Sequence, residues 1–314
     1  MDGRHGGVMN GVDAKANLAG SNKLEVLLFS LGGAEVFALN VFKIKEVTPC
    51  PKITRMPNMR PGMVGVFSLR GNVLPALDLG VFAGFGSSGA GPTRVMIVTE
   101  YNKSTQGFIV ESIDRIIRVD WDQVKAPKSI LASGQSMITA LIELPDGRLV
   151  SILDVEQVLF EAFGDASALS LHGMDKPETE LVGQGFYVDD SGIARKKIQD
   201  VFDHLGVKAR FSENGRDAWE KLQQMAQSAG IAGVALSDQL KVILTDAEMP
   251  EMDGYVLTRL IKADMRFEGI PVVMHSSLSS QANRAMGEAV GVDGYVAKFD
   301  PQTLVETILS RWTQ

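Results

Sequence analysis

The stretch KVILTDAEMPEMDGY, residues 241–255, decides how the C-terminal half of the chain folds. It begins with a short apolar run, Val242 to Leu244, of the kind found in strands buried on both faces of a parallel sheet. The run is followed closely by Asp246 and then by a loop of proline, glycine and further acids. Ligands of such sheets bind at the carboxyl ends of the strands, so we expect Asp246 in a crevice half open to water. A carboxylate there can bind a metal, act as a base or act as a nucleophile.

The rest of the C-terminal half repeats this strand pattern. Five apolar runs alternate with amphipathic stretches of helical period: GFYVDD (185–190), VKARF (207–211), KVILTD (241–246), IPVVMHS (270–276) and GYVAK (294–298). Alternation of this kind predicts an α/β domain, with a parallel sheet and helices on both faces. If the strand order is 2-1-3-4-5, the first and third strands are neighbours.

The N-terminal half has a different pattern, with many short strands and turn signals. Gly32 and Gly33 separate two apolar runs, and Pro145-Asp146-Gly147 separates two more, so both places predict hairpins. A short helix, Val155 to Phe163, is expected to close the domain. The pattern between residues 24 and 163 predicts an all-β fold, either barrels or a sandwich.

Three segments are not expected to belong to either fold. Residues 1–23 are rich in glycine and asparagine and are interpreted as a mobile tail, and residues 164–183 lack periodicity and are interpreted as a linker. Residues 84–89, GFGSSG, match a dinucleotide-binding fingerprint. That motif requires a helix directly after the glycines, whereas Gly91-Pro92 and a strand follow here, so a loop is the better interpretation.

Composition limits the function classes. The chain has 314 residues, of which 45% are hydrophobic and 22% charged, as in ordinary globular proteins. It has one cysteine, no apolar run of the about eighteen residues that a membrane span needs, and no signal-peptide pattern, so a cytoplasmic protein without membrane insertion is expected. The net charge is −7: residues 1–165 carry 16 basic and 17 acidic side chains, and the remainder 15 and 21. There is no basic stripe, which argues against nucleic-acid binding.

Polar side chains follow several strands of the predicted parallel sheet. Asp189 and Asp190 end the first strand, Asp246 the third, Ser276 the fourth and Lys298 the fifth. Two carboxylates about 4 Å apart repel by roughly 4 kcal/mol at an effective dielectric of 20, and a divalent cation removes this cost. Hard oxygen ligands in a small site suit Mg²⁺. Each residue alone has a simpler explanation as a helix cap or a surface charge, but the set can accept a phosphoryl group on Asp246.

On these residues, the segment 184–314 resembles a two-component receiver domain, which implies a flavodoxin-like fold. The resemblance implies that Asp246 is the phosphoacceptor. Asp189 and Asp190 resemble the acidic pair that holds Mg²⁺, with Asp190 the more direct ligand. The backbone carbonyl of Glu248 would be a further metal ligand.

The same resemblance gives roles to three residues near the ends of later strands. Ser276 resembles the hydroxyl residue that moves onto the phosphoryl group, Tyr295 the aromatic switch coupled to it, and Lys298 the lysine that contacts the phosphate. Two features depart from the family pattern. Phe299 stands where receivers usually have proline, and residues 227–239 make the segment before the third strand longer than usual, which predicts a surface extension.

Residues 24–163 resemble the CheW-like coupling domain of bacterial chemotaxis, through FSLGGAEVFALNVFKIKEV, GMVGVFSLRGNVLPALDL, TRVMIVTE and LVSILDVEQVL. The resemblance implies two SH3-like barrels on a shared core and an adaptor without catalytic activity. Glu46 and Arg70 are then candidate interface residues, and Ile44 is a candidate apolar contact. Arg70 lies beside a Gly-Asn turn, and arginine is enriched among residues that dominate binding.

A CheW-like domain fused to a receiver resembles the CheV-type chemotaxis proteins. The expected partners are then chemoreceptors and the histidine kinase CheA, whose phosphohistidine would donate to Asp246 at membrane receptor arrays. Two other classes remain open. A phosphatase with an aspartyl-phosphate intermediate also places an aspartate at a strand end, but it needs a second aspartate where this chain has Glu248. The other is a response regulator that acts through another partner. A transcriptional regulator of this kind would need a basic DNA-binding module, and none remains once the two domains are assigned.

Overall fold

The computed structural model describes residues 23–87, 94–101, 104–125, 137–164, 174, 180–277, 281–298 and 300–312. The predicted tail lies outside these residues apart from Lys23, and so does most of the predicted linker. Within the described residues, no helix is both long enough and apolar enough to span a membrane.

The N-terminal half is built from short strands. In chain order its elements are β1 (Lys23–Ser30), β2 (Val36–Asn40), β3 (Ile44–Pro49), β4 (Met63–Leu69), β5 (Asn72–Asp78), α1 (Leu79–Phe82), β6 (Val95–Tyr101), β7 (Ser104–Val110), β8 (Ser112–Asp120), β9 (Val124–Lys125), β10 (Ile138–Glu143), β11 (Leu149–Leu153) and α2 (Val155–Phe163). They form a six-stranded sheet in the order β8-β1-β2-β11-β10-β9 and a five-stranded sheet in the order β3-β6-β7-β5-β4. Both predicted hairpins are present.

Each sheet covers an apolar cluster of its own, and a third cluster joins them. Val26, Leu28 and Ile142 belong to the cluster of the six-stranded sheet, and Phe67 and Met96 to that of the five-stranded sheet. The joint cluster contains buried side chains of both sheets and of α2: Phe29, Phe37, Leu77, Ile97, Phe108 and Val158. The shared core that the resemblance implies is therefore present.

Only the first four residues of the segment that matches a dinucleotide fingerprint are described, and none of these four lies in a helix. Residues 84–87 are described and form turns, and the Phe85 ring packs edge-on against Phe37. The structure thus agrees with the loop interpretation for the described part of this motif.

The C-terminal half alternates strands and helices. In chain order its elements are β12 (Gln184–Val188), α3 (Gly192–His204), β13 (Lys208–Ser212), α4 (Gly215–Ala232), α5 (Leu236–Gln239), β14 (Leu240–Thr245), α6 (Gly254–Ala263), β15 (Val272–Ser276), α7 (Gln281–Val290), β16 (Gly294–Ala297) and α8 (Pro301–Trp312). The strands pair in parallel in the order β13-β12-β14-β15-β16, which is the predicted order 2-1-3-4-5. Apolar clusters pack on both faces of the sheet.

The long segment before β14 is not a loop on the surface. Residues 227–232 continue α4, and the helix ends at Gly233, whose φ of 68° provides the left-handed cap. Ala229 and Leu236 are buried against the core, while Ile231 is 82% exposed. Most of residues 227–239 are exposed, so the predicted surface extension is confirmed, and its first part lengthens a helix.

Candidate functional site

Parallel pairing of β12 with β14 brings the predicted acids together. Val188 is in register with Thr245, and the Asp246 amide donates a hydrogen bond to the Val188 carbonyl at 2.9 Å. Asp189 and Asp190 follow the first of these strands directly. Ligand oxygens of these two residues and Asp246 all lie within 4.8 Å of one another, as a site for a metal ion requires.

Lys298 reaches the same pocket from the end of β16. Its Nζ lies 2.8 Å from Asp246 Oδ2 and 2.9 Å from Asp189 Oδ2, and the side chain is fully buried. The Lys298 amide is fixed by a hydrogen bond to the Ser276 carbonyl at 2.9 Å. Burial alone would lower the pKa of Lys298, but the surrounding carboxylates outweigh it and raise the pKa well above its usual value. Phe299, which replaces the usual proline, lies outside the described residues.

The pocket contains three carboxyl groups around one lysine, so their charged forms are only partly neutralised. Burial, reinforced by the charge of Asp246, raises the pKa of Asp190 to about 7. Burial also raises the pKa of Asp246, and that of Asp189 well above the ordinary range, although Lys298 opposes both shifts. Clustered oxygen ligands whose charged forms are unfavourable fit a small divalent cation, so these three acids are suited to hold Mg²⁺.

Glu248 has a side-chain role that the sequence did not indicate. Its carboxyl accepts a hydrogen bond from Asn40, a residue of the N-terminal half, and burial raises its pKa to about 7. It lines a cleft between the two halves together with Asp190, Asn40 and Lys43. The role of its backbone carbonyl as a metal ligand stays a prediction.

Ser276 and Tyr295 lie side by side on neighbouring strands. Ser276 is fully buried at the end of β15, and its side chain hydrogen-bonds to the Tyr295 side chain. Burial raises the pKa of the Tyr295 hydroxyl to about 12, so it is protonated near neutral pH. The Arg284 guanidinium lies 5.3 Å from the centre of the Tyr295 ring. The predicted pair of switch residues is therefore in direct contact.

Two charged residues of the N-terminal half also belong to this site, and the sequence analysis missed both. Glu156, in the first turn of α2, places Oε1 3.0 Å from Lys298 Nζ, and it is 3% exposed. Lys43 lies close enough to Glu156, Glu248 and Asp190 that their charges raise its pKa despite burial. Burial alone would raise the pKa of Glu156, but Lys298 and Lys43 lower it, so Glu156 is ionised.

Arg195 supports the acidic pair from α3. Its Nη1 donates to the carbonyls of Asp189 and Asp190 at 2.9 and 3.0 Å, and its Nη2 lies 3.1 Å from Glu213. The turn that carries both acids is thereby fixed by side-chain hydrogen bonds. No sequence signal distinguishes this arginine from others on amphipathic helices.

The candidate partner residues lie on the five-stranded sheet. Arg70 is at the β4–β5 turn with φ of 50°, its side chain is 77% exposed, and it pairs with Glu46 at 2.5 Å. Ile44 is half-buried and packs against the joint core. The structure therefore brings Arg70 and Glu46 together on the surface, and Ile44 contributes mainly to packing. Their binding role stays a prediction.

Comparison with known protein families finds a different family model for each half of the chain. The model of the CheW-like domain matches residues 25–163, and the model of the response regulator receiver domain matches residues 186–309. The fold and the acid–lysine site therefore define a two-domain protein of bacterial signalling, in which a CheW-like domain precedes a receiver domain.

Relatives along nearly the whole chain define the family. The chemotaxis protein CheV3 of Helicobacter pylori is 30% identical over 277 residues, which cover 87% of this chain and 87% of that protein. CheV2 of the same organism is 26% identical, over 91% of this chain and 94% of its own length. The chain therefore belongs to the CheV family of chemotaxis coupling proteins. Among solved structures, the scaffolding protein TtCheW from Thermoanaerobacter tengcongensis is 22% identical with a TM-score of 0.41, covering 52% of this chain and 97% of that one.

Proposed function

We propose that this protein couples chemoreceptors to the histidine kinase CheA, and that phosphorylation of Asp246 modulates this coupling. The observation that carries the proposal is the convergence of three carboxylates and one lysine in a single pocket. This arrangement suits phosphoryl transfer, in which positioning and charge neutralisation provide most of the catalysis. The protein then acts in the cytoplasm at membrane receptor arrays, as an adaptor rather than an enzyme that turns over a substrate.

Each of these residues has a role in the transfer of the phosphoryl group. An Asp246 oxygen attacks the phosphorus of the phosphohistidine, an oxygen–phosphorus bond forms, and the nitrogen–phosphorus bond breaks, leaving the electron pair on the imidazole of the kinase. Lys298 neutralises the oxygens of the transferring group. Asp189 and Asp190 would hold Mg²⁺ with Asp246, and the bound ion would supply further positive charge to the same oxygens.

After transfer, the pocket contains about one additional negative charge, because an acyl phosphate with about two negative charges replaces a singly charged carboxylate. The Ser276 hydroxyl lies at the end of β15, and its hydrogen bond to Tyr295 links the strand ends to the surface at β16. Movement of Ser276 onto the phosphoryl group would release this hydrogen bond and change the position of Tyr295. This would transmit the phosphorylation state to the receiver surface.

The phosphoacceptor is tested by phosphotransfer from radiolabelled kinase. We expect wild type to take up label and Asp246→Asn to take up none, because the amide is not a nucleophile. Asp253→Asn is a matched control in the same loop: Asp253 caps α6 through a hydrogen bond from the Val256 amide, and asparagine caps equally well. Equal labelling of wild type and Asp246→Asn would contradict the assignment.

The coupling role is tested by reconstitution with receptor and kinase. If Arg70 is an anchor of the interface, Arg70→Ala should weaken recruitment of the kinase by about 2 kcal/mol, which is about thirtyfold in affinity. Arg118→Ala is the control, since Arg118 forms a comparable exposed ion pair with Glu25 on the other sheet. Surface ion pairs contribute little stability, so both variants should fold. A similar loss of recruitment in both variants, or in neither, would contradict the role of Arg70.

A further inference from the structure

The N-terminal end of α2 closes the phosphorylation site of the receiver. Asp154 caps this helix by accepting hydrogen bonds from the Glu156 and Gln157 amides at 2.9 and 3.1 Å. The cap directs Glu156 to Lys298, although the two residues are 142 positions apart and lie in different domains. Asp246 is 4% exposed and Lys298 0%, so a phosphodonor has little access to either side chain in this arrangement.

In the closed arrangement the Lys298 ammonium donates hydrogen bonds to Asp246 and Glu156 and forms an ion pair with Asp189. An ammonium group has three N–H donors. The Lys298 ammonium faces three carboxylates, with Nζ–O distances of 2.8 Å to Asp246, 2.9 Å to Asp189 and 3.0 Å to Glu156. A phosphoryl group on Asp246 would need one of these donors. Only Glu156 comes from outside the receiver, so its carboxylate is the ligand that a phosphoryl group would displace.

Other polar contacts hold the same two surfaces together. The Asp154 side chain hydrogen-bonds to Ser191, which caps α3, so the N-terminal ends of α2 and α3 meet. Asn40 hydrogen-bonds to Glu248 across the cleft, and Lys43 faces the acids of the receiver. Among the described residues, the interface therefore contains two lysines, Lys43 and Lys298, and six acids: Asp154, Glu156, Asp189, Asp190, Asp246 and Glu248.

This charge balance makes phosphorylation and closure compete. The interface already has an excess of acids, and conversion of the Asp246 carboxylate into an acyl phosphate adds about one further negative charge beside Glu156 and Asp154. Like charges in a poorly solvated site repel strongly. Separation of the domains would relieve the repulsion and return Glu156 to water.

We propose that the CheW-like domain is an intramolecular lid on the receiver, in which Glu156 takes the place of the phosphoryl group on Lys298 until Asp246 is phosphorylated. The lid rests on the proposed function, since it presumes that Asp246 is the acceptor. Closure slows phosphorylation, and phosphorylation opens the lid. The surface of the CheW-like domain around Asn40, Lys43 and α2 is then exposed only in the phosphorylated protein.

The lid is tested with the full chain carrying Glu156→Gln, which removes the charge and keeps the shape. We expect acetyl phosphate with Mg²⁺ to phosphorylate this variant about tenfold faster than wild type, because a hydrogen bond to a neutral amide is weaker than one between charged groups, and the difference raises the open fraction by about that factor. Small-angle X-ray scattering of the unphosphorylated variant should give a larger radius of gyration than wild type. Beryllofluoride with Mg²⁺, a phosphoryl analogue, should enlarge wild type in the same way.

Glu161→Gln is the matched control, because Glu161 lies on the same helix and is exposed. It should behave as wild type in both measurements. If Glu156→Gln does not fold by circular dichroism, Lys43→Met serves instead, since it removes the other cation that faces the receiver acids. Phosphorylation rates and radii equal to those of wild type would overturn the lid.

The scattering measurement separates failure of the lid from failure of the proposed function. A larger radius for unphosphorylated Glu156→Gln supports the lid contact even if no kinase labels Asp246. If Asp246 is labelled but neither Glu156→Gln nor beryllofluoride changes the radius, the lid is wrong and the phosphoacceptor assignment stands.

Discussion

Neutralising Glu156 and Lys298 in turn measures how strongly this pair joins the two domains. The two charged groups lie 3.0 Å apart, and their side chains are 2% and 0% exposed. Lys298→Met should lower the free energy of unfolding of the metal-free chain by about 3–5 kcal/mol, the usual cost of leaving buried charges without their partner. Asp189 and Asp246 lose the same cation, so the upper part of this range is expected.

The double-mutant cycle isolates the contact between the domains. Lys298→Met should lower the free energy of unfolding by less when residue 156 is already glutamine. We expect a coupling free energy between the two positions of about 1.5–3 kcal/mol, the contribution of a hydrogen bond between charged groups. The assay is urea unfolding of the four proteins with a chelator. Tryptophan fluorescence reports on both domains, through Trp121 in the CheW-like domain and Trp219 and Trp312 in the receiver, and far-ultraviolet circular dichroism reports on the whole chain.

A second cycle shows whether the coupling is specific. Glu161→Gln combined with Lys298→Met should be additive within about 0.5 kcal/mol, because Glu161 is exposed and its side chain contacts Gln157 instead. A coupling between Glu156 and Lys298 no larger than in this control would refute the ion pair between the domains.

Two more predictions concern the receiver alone. Burial, together with the charge of Asp246, raises the pKa values of Asp190 and Glu248 to about 7, so the folded metal-free chain holds these protons longer than the unfolded chain. Its free energy of unfolding should therefore fall as pH rises from about 5 to about 7, by at most about 1.4 kcal/mol per pH unit for each group. Mg²⁺ should flatten this dependence, and a flat metal-free profile in urea unfolding would contradict it. Gly254→Ala places a Cβ 1.9 Å from the Asp246 carbonyl oxygen and should destabilise by about 1–3 kcal/mol or more in urea unfolding. Gly230→Ala, in open space on α4, should instead be neutral or stabilising by up to about 1 kcal/mol, and equal effects would contradict the close approach.

The acids at the strand ends could be predicted because their positions follow from the rules of parallel sheets. The apolar run before Asp246 identified a buried strand, and the strand order made β12 and β14 neighbours. Once both strands run in the same direction, Asp189 and Asp246 must lie at the same edge. The extension of α4 had a readable signal too, since Gly233 follows a stretch of good helix formers and provides the cap.

The contribution of Glu156 could not be predicted in the same way. Its local sequence already has a sufficient explanation, because an aspartate cap followed by an acid in the first turn is typical of the start of a helix. The partner is 142 residues away in a separately folding pattern, and no period or motif links the two. The role of Lys43 could not be predicted either, because it depends on contact with the acids of the receiver. Contacts between domains depend on shape and charge complementarity, which a single sequence does not show.

The lid also has a consequence for the partners of the CheW-like domain, because coupling between two sites is reciprocal. Suppose that beryllofluoride raises the fraction of open protein by some factor. A partner that binds only the open arrangement must then raise the affinity of the protein for beryllofluoride by the same factor. A kinase or receptor that contacts the surface around Lys43 and α2 would therefore make Asp246 easier to phosphorylate. Partners that bind around Arg70 and Glu46, on the five-stranded sheet, would leave it unchanged. Measuring beryllofluoride affinity with and without the kinase would show which surface the kinase occupies, and equal affinities would place the kinase away from the lid.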